Sequence, residues 1–235
     1  YQEKNETFYK GNYAGDSLAL WKYRRYMQEY LSTVASVDES LQEIMDYLDK
    51  NDLAENTIVF LTSDQGFYLG EHGWFDKRFM YEPSLKTPLI IRYPGKIRPQ
   101  WVCGSMVQNL DFAETFLDYA GIAIPDDMQG VSMRPLLEGK TARIRDDIYY
   151  HYYEYPGCHS VKRHYGIRTD RYKLIHFYYD CDEWEFYDLQ LDPLELNNCI
   201  DDTAYREIIA GMHKRLDELR LEYKVPENDE VLLDF

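Results

Sequence analysis

The sequence predicts an α/β protein with a small α+β appendage, and three observations predict it. From Ser17 to about Lys50 there is no Gly or Pro, and apolar residues recur at helical spacing. A continuous apolar, β-rich run, Thr57-Ile58-Val59-Phe60-Leu61, follows a polar turn. From Ile148 to Leu189, aromatic and β-branched segments are split by turn residues. A helix feeding a buried strand is the unit of an α/β fold, whereas closely spaced strands divided by turns give an antiparallel meander.

In the first helix Val37, Leu41, Ile44, Met45 and Leu48 form the repeat, and Asp16 is the expected cap. The stretch reads as one long helix or two abutting ones. After "KNDLAEN" the run at 57–61 fits a central parallel strand covered on both faces. "PLIIRYP", Pro88 to Pro94, predicts a second short strand. Leu110 to Ala120 predicts a helix capped by Asn109 or Asp111 and stopped by Gly121. Beyond "GKTARIRDD" come "IYYHYYEY", "HYGIRT", "RYKLIHFYY" and "EWEFYDL", with Thr169-Asp170 as a turn, and then an amphipathic helix over about Thr203 to Tyr223. The change of character near residue 142 divides the chain into an α/β portion, 1–142, and an antiparallel-sheet subdomain, 143–235.

Composition narrows the function. The 235 residues are 45% apolar and 16% aromatic, enough for a sizeable core. A formal charge of −16 argues against nucleic acid or an anionic membrane as the partner of the whole surface, so an anionic substrate has to meet a local basic site. No run of about 18 apolar residues predicts a membrane span. The first residues, "YQEKNETFYK", lack a signal peptide's basic and apolar segments and a starting Met, as expected of a processed or truncated chain. Cys103, Cys158, Cys181 and Cys199 have no CxxC spacing, which points away from zinc and redox motifs. Cys158 and Cys181 stay open between a cross-strand disulfide and free thiols.

The chemistry concentrates in "FLTSDQGFYLGEHGWFDKRFMYEP", Phe60 to Pro83. Ligands of open parallel sheets collect beyond the carboxyl ends of strands, where Asp64-Gln65-Gly66 is expected. A carboxylate beside an amide offers oxygen donors suited to a hard cation, and Gly66 lets the backbone turn tightly. On spacing alone an ordinary turn explains these residues as well.

The longer stretch "TSDQGFYLGEHGWFDKRFMYEPSLKTPLIIRYPG" resembles the second signature region of the type I sulfatases of the alkaline-phosphatase superfamily: T-S-D-[HNQ]-G, then G-E-H-G, K, Y-E, P-L-I and P-G. "GVSMRPLL" (Gly130 to Leu137), "RTDRYKLI" and "EFYDLQLDPLELNN" are similar to later parts of that family. The resemblance implies part of an alkaline-phosphatase-like, mostly parallel sheet flanked by helices, with a C-terminal antiparallel subdomain and terminal helix. It places Asp64 and Gln65 as ligands of a divalent metal, usually Ca²⁺ with Mg²⁺ as the alternative, and Lys77 as the cation on the sulfate oxygens. Gln at position 65 resembles a branch of bacterial glycan sulfatases. His72 is left open between proton donor and packing residue.

Family members use a formylglycine made in the motif [CS]-x-[PA]-x-R, which no Cys or Ser of this chain opens. Two donors are also too few for calcium, which takes six to eight oxygens. These 235 residues read most simply as the C-terminal half of a sulfatase, with a naturally shortened, non-catalytic relative as the alternative, and in either case without turnover alone. The N-terminal half is the expected partner, and a cut sheet edge invites homo-oligomers.

The segment "HSVKRHYGIRTDRYK" holds Lys162, Arg163, Arg168, Arg171 and Lys173 in an acidic protein. It reads either as a basic hairpin for a sulfated glycan, with His164 and Arg168 on the substrate, or as a strand edge guarded by charges. Of the other histidines His159 alone merits a test; His151, His176 and His213 read as packing. The resemblance implies a sulfuric ester hydrolase of the periplasm, the cell exterior or, in an animal, the lysosome. Two competitors stand beside it: a phosphodiesterase or phosphonate hydrolase of the same superfamily, and a glycan-binding module without chemistry.

Overall fold

In the computed structural model, which describes residues 2–155, 159–179 and 181–226 with side chains from residue 6 onward, the chain forms two units. One comprises the residues up to Ile58 together with Leu69–Phe75; the other comprises Val59–Tyr68 and the residues from Asp76 onward. The choice left open for Cys158 and Cys181, disulfide or free thiols, lies outside the described residues, since Cys158 is not among them.

The first unit is built on two helices, α1 (Gln2–Gly11) and α2 (Gly15–Lys50). With no Gly or Pro to interrupt it, α2 runs unbroken for 36 residues. Its cap is not Asp16. Ser17, one residue later, turns its hydroxyl back to accept the Ala14 N–H at 3.1 Å and to donate to the Ala14 carbonyl at 2.8 Å, so Asp16 contributes only its charge to the first turn. Leu48 is buried, yet Leu31, Val34, Val37 and Ile44 lie about half exposed along the helix.

In the second unit β1 (Val59–Thr62) leads through the site loop to a one-turn helix, α3 (Glu82–Leu85), and then to β2 (Leu89–Arg92). The expected parallel central strand is corrected here. β1 pairs with β2 antiparallel, Val59 opposite Arg92 and Thr62 opposite Leu89, and its residues are only partly buried. An apolar run reports coverage of both faces; it does not encode the direction of the neighbouring strand. Next come α4 (Asp111–Ala120), ended by Gly121 in the left-handed region at φ 71°, and the short α5 (Arg134–Leu137).

The meander forms as the aromatic segments predict. Strands β3 (Asp147–Tyr152), β4 (His164–Thr169), β5 (Tyr172–Phe177) and β6 (Glu183–Asp188) lie in sequential order, all antiparallel. Side chains alternate between the two faces. On one face Ile167, Leu174 and Phe186 meet Met212, Leu216 and Leu219 of the last helix, α6 (Arg206–Glu222), in the main core cluster. The other face presents Tyr150, His164, Gly166, Arg168, Lys173, Ile175, Glu185 and Tyr187. Phe186 is fully buried in the cluster. Phe186→Ala is expected to lower unfolding free energy by about 3–5 kcal/mol, read as a lower urea midpoint at unchanged slope.

Candidate active site

The loop after β1 is held by close backbone contact. Gly66 donates its N–H to the Ser84 carbonyl at 2.9 Å, and a Cβ at position 66 would meet the carbonyl oxygens of Ser84 and Lys86 at 2.7 Å as well as that of Pro83. Ser84 also works in the other direction: its hydroxyl donates to the Lys77 carbonyl at 2.7 Å. One buried serine therefore joins the main chain of the Asp64-Gln65-Gly66 turn to that of Lys77. A third tie comes from Asn109, just before α4, whose amide donates to the Asp64 carbonyl. α4 is in turn fixed by Asp111 and Thr115, which accept the N–H groups of Val131 and Met133 at 2.9 and 2.8 Å, so "GVSMRPLL" serves to seat this helix.

Residues 78–81 lie between the turn after Asp76 and α3 without regular structure, and their polar backbone groups need partners. Two tyrosines supply carbonyl partners, and the meander adds side-chain ties. Tyr150 of β3 donates to the Arg78 carbonyl at 2.6 Å, and Tyr68 donates to the Phe79 carbonyl at 3.0 Å. Met80 lies against Gly166 of β4, where an added Cβ would meet its sulfur at 2.7 Å. The Tyr81 hydroxyl donates to Glu185 of β6 at 2.7 Å, and Glu82 is gripped by Arg168 of β4 and Lys173 of β5 at 3.1 Å. Every strand of the sheet thus holds part of the segment that carries Lys77.

The side chains that remain outward are those the loop motif singles out. Asp64 is exposed, with Oδ1 accepting from Ser63 at 3.2 Å, and Gln65 is half-buried. The Lys77 ammonium is exposed and has no partner among the described residues. On either side of it, Asp76 and Arg78 pair at 2.5 Å, and the Arg78 guanidinium also reaches His159 Nε2 at 2.5 Å. His72 belongs to the other unit. There it occupies a short 3-10 turn, Glu71–Gly73, with φ 54° and its ring stacked on Trp74 at 5.5 Å.

Comparison with known proteins decides the family. A profile described as Sulfatase matches residues 1–122, and one described as N-sulphoglucosamine sulphohydrolase, C-terminal, matches residues 70–222. This chain belongs to the sulfatase family. It is 51% identical over 233 residues to an N-acetylglucosamine-6-O-sulfatase of Bacteroides thetaiotaomicron, covering 98% of this chain and 42% of that one. It is 34% identical over 192 residues to arylsulfatase K of Mus musculus, covering 80% of this chain and 34% of that one. A solved structure in complex with its substrate, D-glucosamine-2-N,6-O-disulfate, superposes with a TM-score of 0.92 at 49% identity, covering 98% of this chain and 47% of that one. The chain thus spans less than half the length of these relatives.

For a sulfatase, Asp64 and Gln65 have the right donor chemistry for a divalent cation, two oxygens of a kind that suits a hard ion. They do not complete a shell, and among the described residues no three His, Cys, Asp or Glu side chains converge on one point. The substrate roles expected of His164 and Arg168 meet a different environment. His164 is fully buried, its Nδ1 on the Lys162 carbonyl at 2.8 Å and its ring stacked on Phe79 and Tyr150. Arg168 is committed to Glu82 through two hydrogen bonds of 3.1 Å. The basic segment is neither a free patch nor a guarded edge, because strand alternation turns His164, Arg168 and Lys173 inward, toward the site segment. The sequence does not single out Arg78, Glu82 or Glu195, and it offers Lys173 only as one charge of the basic segment. For His164, Arg168 and Lys173 the signal is polar residues at period two, in "HYGIR" and "YKLIHF", where a sheet covered on both faces would otherwise be apolar.

Two outcomes are expected. Gly66→Ala should cost about 1–3 kcal/mol from overpacking against three carbonyls, visible as a lower melting temperature. Burial drives the His164 imidazole down to about 4, main-chain contacts opposing it in part. The unfolded ring takes up a proton as pH falls through about 6.5 and the folded ring does not, so stability present above 6.5 is lost progressively toward pH 4. Its Hε1 chemical shift should report a neutral ring at about pH 5.5, where a solvated histidine is mostly protonated; a midpoint near the ordinary value would contradict the burial.

Proposed function

We propose that the chain is the C-terminal portion of a longer sulfatase that hydrolyses a sulfate ester on a glucosamine-type sugar of a glycosaminoglycan. The observation that carries this reading is the exposed Lys77 ammonium, without a partner among the described residues and fixed by its own backbone to the Asp64-Gln65 turn through Ser84. The relatives described above, one acting on N-acetylglucosamine and one bound to a glucosamine disulfate, support the sugar class.

In this reading the residues preceding the chain supply a formylglycine as nucleophile, and a divalent ion, Ca²⁺ rather than Mg²⁺, supplies positive charge. Asp64 and Gln65 contribute two of the oxygens that hold the ion. Lys77 binds a sulfate oxygen and stabilises the charge that grows as the S–O ester bond breaks, an electrostatic role that needs no proton transfer from it. Asp76 and Arg78 set an acceptor and a donor on either side of Lys77, suited to the hydroxyls of a sugar ring, with His159 buttressing the guanidinium. The residues given to the metal and to the sulfate all fall in residues 1–142, whereas 143–235 contributes only support, beside that of Ser84 and Asn109. The half-exposed apolar residues of α2 are where the preceding polypeptide packs, in preference to a second copy of this chain. A sulfated extracellular glycan as substrate places the enzyme in the periplasm or outside the cell.

In the full-length enzyme Lys77→Ala is expected to lower kcat/KM by roughly 10² or more on a 6-O-sulfated glucosamine, the scale of losing one electrostatic donor. Unchanged kinetics would remove Lys77 from the site. Turnover of an aryl phosphate diester in preference to an aryl sulfate would replace the sulfatase reading with the phosphodiesterase one.

A further inference from the structure

Two carboxylates and two cations are buried together under the segment that carries Lys77, and the proposed reaction uses none of them. Lys173 and the Glu195 side chain are fully buried, and the Glu82 side chain is 8% exposed. Lys173 Nζ lies 2.5 Å from Glu195 Oε1 and 3.1 Å from Glu82 Oε1. Arg168 closes on the same Glu82 carboxylate through Nε and Nη2. Glu195 completes the ring by accepting the Glu82 backbone N–H on Oε2 at 2.6 Å. Burial works against both carboxylates. At Glu82 the charges of Lys173 and Arg168 override it and hold the carboxyl down at about 2, whereas Glu195, facing Lys173 alone, is pushed up.

Such a cluster is a poor way to gain stability, since apolar residues of similar volume usually do as well or better. What apolar residues cannot do is fix the start of a one-turn helix by direction. α3 is only four residues long, too short to hold itself, and its first residue is Glu82. Two residues on stands Ser84, the joint between the Gly66 turn and Lys77. We infer that Lys173, Arg168, Glu82 and Glu195 form a positioning cluster through which the meander sets the placement of Lys77 against the Asp64-Gln65 turn. The inference rests on the sulfatase reading and adds to it four residues that never meet the substrate.

The test is a double-mutant cycle in the full-length enzyme, with Lys77→Ala as one edge and Lys173→Met as the other, read by kcat on an aryl sulfate. Arg168→Met, at a less buried position, runs in parallel in case Lys173→Met does not fold, and melting temperatures check each variant. In the parent background the cluster variants should lose roughly 10-fold or more in kcat with KM little changed; in the Lys77→Ala background the same changes should cost less than about 2-fold, because their effect travels through Lys77. Equal losses in both backgrounds, or folded variants with full kcat, would overturn the inference while leaving the sulfatase reading standing. A parent enzyme without sulfatase activity would remove that reading and the cluster's role with it.

Discussion

An irregular segment placed against a protein interior has to be held by contacts from outside itself, and here every strand of a sheet contributes one. Residues 78–81 belong to no helix or strand, yet Tyr150, Arg168, Lys173 and Glu185, one from each strand of the meander, reach the Arg78 carbonyl and the side chains of Tyr81 and Glu82. The rest of the site follows from this docking. With the segment pinned, α3 has a fixed start, Ser84 a fixed place, and the turn at Gly66 and the chain at Lys77 are joined through it. The antiparallel meander is thus covered by α6 on one face and by the segment before α3 on the other.

This arrangement explains an oddity of composition. The protein carries a net charge of −16, yet its proposed substrate is an anion. Most cations near the site are neutralised by carboxylates: Arg168 and Lys173 by Glu82 and Glu195, Arg78 by Asp76. Neutralised cations hold structure and do little to attract a sulfate. Lys77 differs in that its side chain is exposed and no carboxylate among the described residues neutralises it.

Much of this was legible in the sequence. The absence of Gly and Pro between Ser17 and Lys50 specified α2, and aromatic segments with Thr169-Asp170 between two of them specified the meander and its β4–β5 turn. The loop motif singled out Asp64, Gln65 and Lys77, whose side chains the fold leaves exposed or half-buried. Other features were not legible, for physical reasons. Whether Asp16 or Ser17 caps α2 depends on which side chain can fold back once Gly15 takes φ 52°, which composition does not state. The direction of the strand beside β1 is set by contacts remote in sequence. His164 and Arg168 look available as charges on a string of residues, and only the pairing register, which fixes which face each strand residue occupies, shows that they point into the sheet's covered side.

The measurement that bears most directly on this account is a crystal structure of the intact enzyme with a non-hydrolysed sulfate ester bound. The account predicts the Lys77 ammonium within hydrogen-bonding distance of a sulfate oxygen, Asp64 and Gln65 on a cation beside the same group, and Ser84 still bridging the two backbones. A sulfate bound elsewhere, with Lys77 turned to solvent and Ser84 released from either partner, would contradict it.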